Sequence, residues 1–156
     1  MLTTESRAPE LEFVDTAGRP WRLSDQRDAR ATLLYFMRST ACPICNLHVR
    51  DLVARRDDFD DENIHVAIVV PEDPAAGLAW KTKRGIPFPV LTGATGSAHE
   101  SVGLTRRVFG SMQQSGTVLV DSAGIVRHAH GSTLPTGGYD KKGIVAAIRE
   151  LSDARK

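Results

Sequence analysis

Hydrophobic and polar positions along the chain follow the periods of β-strands and of helices in separate segments. Residues 31–37 and 65–70 are near-continuous apolar runs rich in β-forming residues, which predict strands buried on both faces. Shorter alternating runs next to turn residues predict two hairpins, with strands near 11–13 and 21–23 and at 117–120 and 125–130. These segments predict a sheet whose central strands are covered on both sides.

Helical periodicity appears between the strands and near the end of the chain. Pro43 opens the first helix, a position that suits proline because the first N–H groups of a helix have no partner within it. The apolar spacing predicts helices at 43–56 and 74–84, a short helix at 95–103, and an amphipathic helix at 141–151. Residues 88–91, next to two prolines, predict only a short extended segment.

The order of these elements predicts the fold class. Strands that alternate with helices build an open α/β sheet, and right-handed crossovers make the first two core strands parallel. The closing hairpin adds an antiparallel edge, so the sheet is expected to be mixed, flanked by helices and preceded by an N-terminal β-hairpin. Neither a linker nor a repeat divides the sequence, which predicts a single domain over residues 1–156.

Composition and charge exclude several function classes. The chain is 41% hydrophobic and 25% charged with a formal net charge of +1, which is ordinary for a globular protein and favours neither nucleic acid nor an anionic membrane as a partner. Its apolar runs are shorter than the roughly 18 residues that a spanning helix needs. The first residues lack the basic and apolar regions of a secretory signal, so we expect a cytoplasmic location.

The two cysteines carry the chemistry that the sequence predicts. Cys42 and Cys45 lie between the strand 31–37 and the helix that opens at Pro43, and ligands and reactive groups collect at this end of parallel strands. A helix N-terminus stabilises negative charge, so we expect a lowered pKa and nucleophilic reactivity for Cys42. Cys45, one turn further and more buried, is expected to resolve the product as a disulfide, and this chemistry needs no cofactor.

Metal binding is a second interpretation of the same segment. Cys42, Cys45 and His48 have C-x-x-C-x-x-H spacing, and His128 and His130 could supply further ligands. A structural zinc site takes four ligands, usually from two such pairs of ligands. Because the chain has one cysteine pair and the two late histidines belong to a distant strand, this interpretation is the less favoured one.

The motifs together resemble a known family. The run YFMRSTACPICNL at 35–47 resembles the peroxiredoxin-like branch of the alkyl hydroperoxide reductase/thiol-specific antioxidant (AhpC/TSA) superfamily. The opening at 8–24, the hairpin at 117–126 and the segment Leu-Pro-Thr-Gly at 134–137 are also similar, so the resemblance covers about residues 8–151. It implies a thioredoxin-like three-layer sandwich.

The resemblance also implies an activity and roles for four residues. Cys42 would be the peroxidatic cysteine of a thiol-dependent peroxidase, oxidised by hydrogen peroxide or an organic hydroperoxide to a sulfenic acid that Cys45 resolves. Ser39 would place a hydroxyl against the thiolate and the peroxide, and Arg38 would supply a cation. The implied reductant is a thioredoxin-like protein or a low-molecular-weight thiol, and a homodimer remains open.

Two positions depart from the family pattern. Tyr35 replaces a proline seven residues before Cys42, and Ser115 stands where peroxiredoxins have an arginine and thioredoxins a cis-proline. Arg38 is the best substitute for that arginine, although a surface role is equally compatible with the sequence; Arg106 and Arg107 are weaker candidates. Two other functions stay open: a thiol-disulfide oxidoreductase that uses the same pair, and a redox-sensing or zinc-binding module.

Overall fold

The computed structural model describes residues 2–94, 96–104, 113–132 and 138–154. Its strands are β1 (Glu12–Asp15), β2 (Pro20–Arg22), β3 (Ala31–Phe36), β4 (Ile64–Val69), β5 (Val90–Gly93), β6 (Ser115–Asp121) and β7 (Val126–Ser132). Its helices are α1 (Pro43–Ala54), α2 (Arg56–Asp61), α3 (Pro74–Arg84) and α4 (Lys141–Ala154). Single 3-10 turns lie at Leu23–Gln26 and Glu100–Val102.

The described strands form one mixed sheet in the order β2-β1-β5-β4-β3-β6-β7. Strand β3 pairs in parallel with β4, as the alternation of strands and helices predicts. Strand β4 also pairs in parallel with β5, a pairing that the sequence analysis did not predict. The hairpin β6–β7 adds the antiparallel edge beside β3. The N-terminal hairpin forms the opposite edge because β1 pairs antiparallel with β5, a long-range contact that the sequence pattern does not specify.

Two apolar clusters cover the two faces of the sheet, because neighbouring residues of a strand point to opposite sides. Leu33 and Tyr35 of β3 belong to the cluster that α1, α2, α3 and α4 cover. Leu34 and Phe36 belong to the other cluster, which the N-terminal segment and the two 3-10 turns cover. All six side chains of β3 are therefore buried, which explains its near-continuous apolar sequence. The layers and the mixed sheet are those of the thioredoxin-like fold.

Most predicted elements are confirmed, and three differ locally. The first helix ends at Ala54, and a separate short helix, α2, follows it. The extended segment expected at 88–91 forms β5 slightly later, at Val90–Gly93, because the prolines at 87 and 89 have no N–H for a sheet. The helix expected at 95–103 is only the 3-10 turn Glu100–Val102 in the described residues. Arg106, Arg107 and residues 134–137 lie outside the described residues.

In the described part of the chain, no helix is long and apolar enough to cross a membrane.

Candidate active site

Cys42 is the N-cap residue of α1, at the carboxyl end of β3. Its backbone is extended (φ −69°, ψ 114°), and Pro43 takes the first helical position, as predicted. The Cys42 sulfur accepts a hydrogen bond from the backbone N–H of Cys45 over 3.3 Å. A side chain that caps a helix in this way receives the partial positive charge of the helix N-terminus. The Cys42 sulfur therefore lies at the positive end of the α1 dipole.

Cys45 lies in the first turn of α1, and both cysteines are free thiols. The exposed fraction is 0% for Cys45 and 2% for Cys42, so the expected difference in burial is present but small. Burial, followed by the hydrogen bond with Cys42, raises the pKa of the Cys45 thiol to about 11, although the backbone N–H of Arg38 also donates to its sulfur over 3.5 Å. Cys45 is accordingly a neutral thiol near neutral pH.

A buried amide fixes the loop 37–42, which we call the cysteine loop. The Nδ2 of Asn46 donates to the carbonyl oxygens of Thr40 (3.0 Å) and Cys42 (2.9 Å). The Asn46 oxygen accepts from the indole N–H of Trp80 over 2.8 Å, which ties α3 to the loop. The Glu72 carboxylate accepts from both the backbone N–H (2.9 Å) and the hydroxyl (2.6 Å) of Thr40. Side chains from three parts of the chain thus hold the backbone that presents Cys42.

The start of the cysteine loop has a further support on the other face of the sheet. The Nε2 atom of the fully buried His99 lies 2.7 Å from the Met37 carbonyl oxygen, which can only accept, so Nε2 carries a proton. The His99 ring also packs edge-on against Phe36, with ring centroids 5.2 Å apart. This contact fixes the carboxyl end of β3 just before the loop begins.

A hydrogen-bonded pair of side chains lies beside Cys45. The Tyr35 hydroxyl oxygen is 2.7 Å from Nδ1 of His48, one turn beyond Cys45 on α1. Tyr35 also interacts with the Cys45 thiol, and burial, the largest cause, raises the pKa of its phenol far above the usual range. The His48 ring packs on Tyr139, with ring centroids 4.9 Å apart. A polar path therefore leads from the buried Cys45 thiol to a half-buried histidine.

Tyr139 belongs to a second group of polar side chains behind His48. Its hydroxyl donates to the Asp51 carboxylate over 2.5 Å and accepts from Arg55 over 3.0 Å. Lys141 adds a contact of 3.3 Å to the same carboxylate. Burial lowers the pKa of His48, and the Asp51 charge opposes that shift without cancelling it. These contacts link α1 to the start of α4 and set the electrostatic surroundings of His48.

The structure brings the four predicted site residues together around the first turn of α1. The Ser39 carbonyl accepts from the Cys42 backbone N–H over 3.2 Å, and Arg38 is half-buried with its backbone N–H on the Cys45 sulfur. The roles of the Ser39 hydroxyl and the Arg38 guanidinium stay predictions. Ser115 is the first residue of β6 and directly precedes Gly116, which pairs with Phe36. Its side chain is buried against Gly138: a Cβ atom added at Gly138 would lie 2.1 Å from the Ser115 hydroxyl oxygen.

The residues considered for zinc have other neighbours. His48 contacts Tyr35 through Nδ1, and His128 and His130 stack on β7 with centroids 6.4 Å apart. No group of three or more His, Cys, Asp or Glu side chains with the geometry of a metal site occurs among residues 2–94, 96–104, 113–132 and 138–154. The geometry of the described residues thus lends the zinc interpretation no support.

Sequence reasoning noted Tyr35 only as a departure from the family pattern and assigned no role to several other residues that shape the site. Tyr35 is the one hydroxyl-bearing aromatic residue in an apolar strand, and Asn46 is a polar residue on the helix face that turns inward; both features were signals in the sequence. Trp80 and Glu72 carry no local signal, since their contacts with the loop depend on how α3 and the end of β4 pack beside α1.

A dithiol at a helix N-terminus, at the carboxyl end of a central strand in this sheet, defines the class of thioredoxin-fold thiol proteins. The sequence model of the AhpC/TSA family matches residues 4–129, which is most of the chain. The protein belongs to the AhpC/TSA family. A search of curated proteins found no match.

Solved structures show the same fold at low sequence identity. Peroxidoxin BcpB from Mycobacterium tuberculosis superposes with a TM-score of 0.81 at 18% identity, over 100% of both chains. A peroxiredoxin-like protein from Aquifex aeolicus gives 0.78 at 17% identity, over 96% of this chain and 88% of that one. The 2-Cys peroxiredoxin of Plasmodium vivax gives 0.76 at 20% identity, over 99% of each chain. These similarities confirm the predicted fold.

Proposed function

We propose that the protein is a thiol-dependent peroxidase in which Cys42 is the peroxidatic cysteine and Cys45 the resolving cysteine. The observation that carries the proposal is the position of the Cys42 sulfur, which caps α1 and accepts the N–H of Cys45. Membership of the AhpC/TSA family supports the same activity. A thiolate is the reactive form of cysteine, and the helix N-terminus stabilises that form.

The reaction proceeds in three balanced steps. The Cys42 thiolate attacks one peroxide oxygen, the O–O bond breaks, and the departing oxygen takes a proton to leave as water or an alcohol. Cys45 then attacks the sulfur of the Cys42 sulfenic acid, forms a disulfide and releases water. Two thiols of an external reductant finally exchange with this disulfide and restore both cysteines.

The burial of both sulfurs bears on the substrate and the partners. Because only 2% of the surface of Cys42 is exposed, the site favours a small oxidant, so we propose hydrogen peroxide or a small organic hydroperoxide. The reductant has to reach the disulfide in the first turn of α1, and either a thioredoxin-like protein or a low-molecular-weight thiol has the required chemistry. We also propose that the protein forms a homodimer, which the mass of the reduced protein in solution would test.

Arg38 and Ser39 have proposed roles on the peroxide itself. Negative charge grows on the departing oxygen in the transition state, and a fixed cation or donor there lowers the barrier. Both residues lie in the cysteine loop that runs from β3 to Cys42. We assign the charge to the Arg38 guanidinium and a hydrogen bond to the Ser39 hydroxyl.

Replacing Arg38 by methionine is expected to slow the oxidation of Cys42 by hydrogen peroxide at least about tenfold. The loss of one preorganised donor costs on the order of 10²–10³ in rate, and partial access of water to the half-buried Arg38 reduces that effect. The matched control is Arg50→Met, since Arg50 is exposed on α1. Stopped-flow rates for both variants check the prediction, and equal rates would leave Arg38 without the assigned role.

The test of the proposed function compares two substrates and maps the product. We expect rapid consumption of peroxide by the reduced protein and slower turnover of a protein disulfide such as insulin. One equivalent of peroxide should remove two hydrogens from the tryptic peptide 39–50, which contains both cysteines. Rapid disulfide turnover with negligible peroxide turnover would favour the thiol-disulfide oxidoreductase, and disulfide-linked dimers would show that Cys45 is not the resolving residue.

A further inference from the structure

The resolving step poses a problem of proton transfer inside the protein. Cys45 is fully buried and is a neutral thiol, whereas only a thiolate attacks sulfur efficiently. Its proton therefore has to leave while the S–S bond forms. Water cannot reach the Cys45 sulfur directly, since none of its surface is exposed. A protein group close to the thiol is suited to accept the proton.

The contacts of Cys45 narrow the choice of acceptor. Two neighbours of the Cys45 sulfur are unsuitable as acceptors. The backbone N–H of Arg38 can only donate a hydrogen bond, and the Cys42 sulfur is the atom that Cys45 attacks. Tyr35 lies with Cys45 in the same buried cluster, the two side chains interact electrostatically, and the Tyr35 hydroxyl can both accept and donate a proton. Its oxygen lies 2.7 Å from Nδ1 of His48, which is half-buried and reaches solvent.

We propose that Tyr35 and His48 form a proton relay that deprotonates Cys45 when it attacks the oxidised sulfur of Cys42. This inference rests on the proposed function and adds two residues to it. In this relay Tyr35 exchanges a proton with the reacting thiol and is a catalytic residue, whereas His48 acts through Tyr35 as a positioning residue and is the last proton acceptor. The relay also gives a use to the tyrosine that replaces the proline of the family pattern.

The protons and electrons of the relay balance. The Cys45 thiol proton moves to the Tyr35 oxygen as the Tyr35 proton moves to Nδ1 of His48, so no tyrosinate forms. The Cys45 sulfur gives an electron pair to the Cys42 sulfur, and the S–O bond of the sulfenic acid breaks. The departing hydroxide takes a proton from solvent and leaves as water, while the His48 imidazolium returns its proton to solvent.

The surroundings of His48 suit an acceptor. Burial keeps its pKa below the usual 6.5, so the ring is neutral at pH 7 and Nδ1 is free to accept when Nε2 carries the proton. The groups that face it are the Tyr35 phenol from β3, the Tyr139 phenol from the segment before α4, and Asp51 from α1 itself. Asp51 stabilises the imidazolium that forms, although Lys141 shares its charge.

The test separates the two chemical steps in time. Trp80 is hydrogen-bonded to Asn46, which in turn binds the Cys42 carbonyl, so its fluorescence should report oxidation of Cys42 and then disulfide formation. After mixing with hydrogen peroxide, Tyr35→Phe should leave the first, peroxide-dependent phase within about threefold of wild type. The second, peroxide-independent phase should slow by about 10², the lower part of the usual range for proton-transfer catalysis.

Tyr139→Phe is the matched control. It also removes one phenolic hydroxyl. Both tyrosine rings contact His48, although Tyr35 packs edge-on and Tyr139 is tilted, and the two tyrosine centroids are 5.8 Å apart. The Tyr139 hydroxyl has no place in the proposed relay. The second phase of Tyr139→Phe should therefore stay within about threefold of wild type. An equal slowing in both variants would assign the effect to packing and overturn the relay.

The pH profile provides the readout that packing alone would not change. The wild-type second phase should be flat near neutral pH and fall only below pH 6.5, where His48 becomes protonated and can no longer accept. In His48→Gln the second phase should instead rise about tenfold per pH unit up to pH 9, because the thiolate then has to form by direct ionisation. A flat profile in His48→Gln would overturn the relay.

A second oxidant distinguishes failure of the relay from failure of the proposed peroxidase. Methyl methanethiosulfonate places a methylthio group on Cys42 without any peroxide chemistry, and attack by Cys45 then releases methanethiol. Slow release in Tyr35→Phe, but not in Tyr139→Phe, would support the relay even if peroxide reacted poorly. Normal release in Tyr35→Phe would reject the relay and leave the peroxidase proposal intact.

Discussion

Replacing Cys42 by serine is expected to reduce peroxide turnover to the uncatalysed rate, because the serine hydroxyl remains protonated and cannot attack the O–O bond. Cys45→Ser should behave differently: it keeps the nucleophile at the helix N-terminus and should consume one equivalent of peroxide rapidly. Without the resolving thiol, it should then stop as a sulfenic acid or progress to sulfinic acid. Peroxide consumption and intact-mass spectrometry measure both outcomes.

The two variants control each other, since each removes one sulfur from the same turn of α1. If Cys45→Ser failed to consume one equivalent of peroxide while Cys42→Ser still reacted with peroxide, the assigned roles would be reversed. The raised pKa of Cys45, about 11, argues against this reversal because only a small fraction of the Cys45 side chain is thiolate at neutral pH. Faster alkylation of Cys42 than of Cys45 near pH 7 would give the same order independently.

Asn46→Ala is expected to lower the free energy of unfolding by about 2–4 kcal/mol. The change leaves the buried indole N–H of Trp80 without its acceptor and removes two hydrogen bonds to the cysteine loop. An unpaired buried donor costs about 1–3 kcal/mol, and each ordinary hydrogen bond contributes about 0.5–1.5 kcal/mol. The rate of Cys42 oxidation should also fall, because the loop that presents Cys42 loses its support.

The neighbouring residue provides the control for Asn46→Ala. Leu47 is 57% exposed on the same helix, so Leu47→Ala should change stability by no more than about 0.5 kcal/mol. Trp80→Phe removes the indole N–H that Asn46→Ala leaves without an acceptor. The double variant should therefore lose less unfolding free energy than the sum of the two single variants. Additive effects in urea unfolding would show that the bond between Trp80 and Asn46 contributes little.

The sequence predicted the fold well where one pattern determines one structure. Strands β3 and β4 are buried on both faces, so their apolar runs are unmistakable, and Pro43 and Gly85 mark helix ends through their backbone chemistry. Local pattern failed where tertiary contacts decide. The pairing of β1 with β5 joins segments far apart in sequence, and the segment expected to be a helix at 95–103 contains only one 3-10 turn in its described residues.

The candidate site divides in the same way. The place of Cys42 and Cys45 follows from the spacing and from the strand-to-helix context, which are local in the sequence. The contacts of Tyr35 with His48 depend on the relative rotation of β3 and α1, and Trp80 reaches the site from α3. No short-range pattern encodes such contacts, because each needs two elements to pack in one particular register.

The most direct test of the central claim is the rate at which hydrogen peroxide oxidises the reduced wild-type protein. Stopped-flow fluorescence gives this rate, and free cysteine measured at the same pH provides the reference. The account predicts that Cys42 reacts at least about 10² times faster than free cysteine, since one preorganised electrostatic contact at the departing oxygen already gives that factor. A rate no greater than that of free cysteine would contradict the proposal that this protein is a peroxidase.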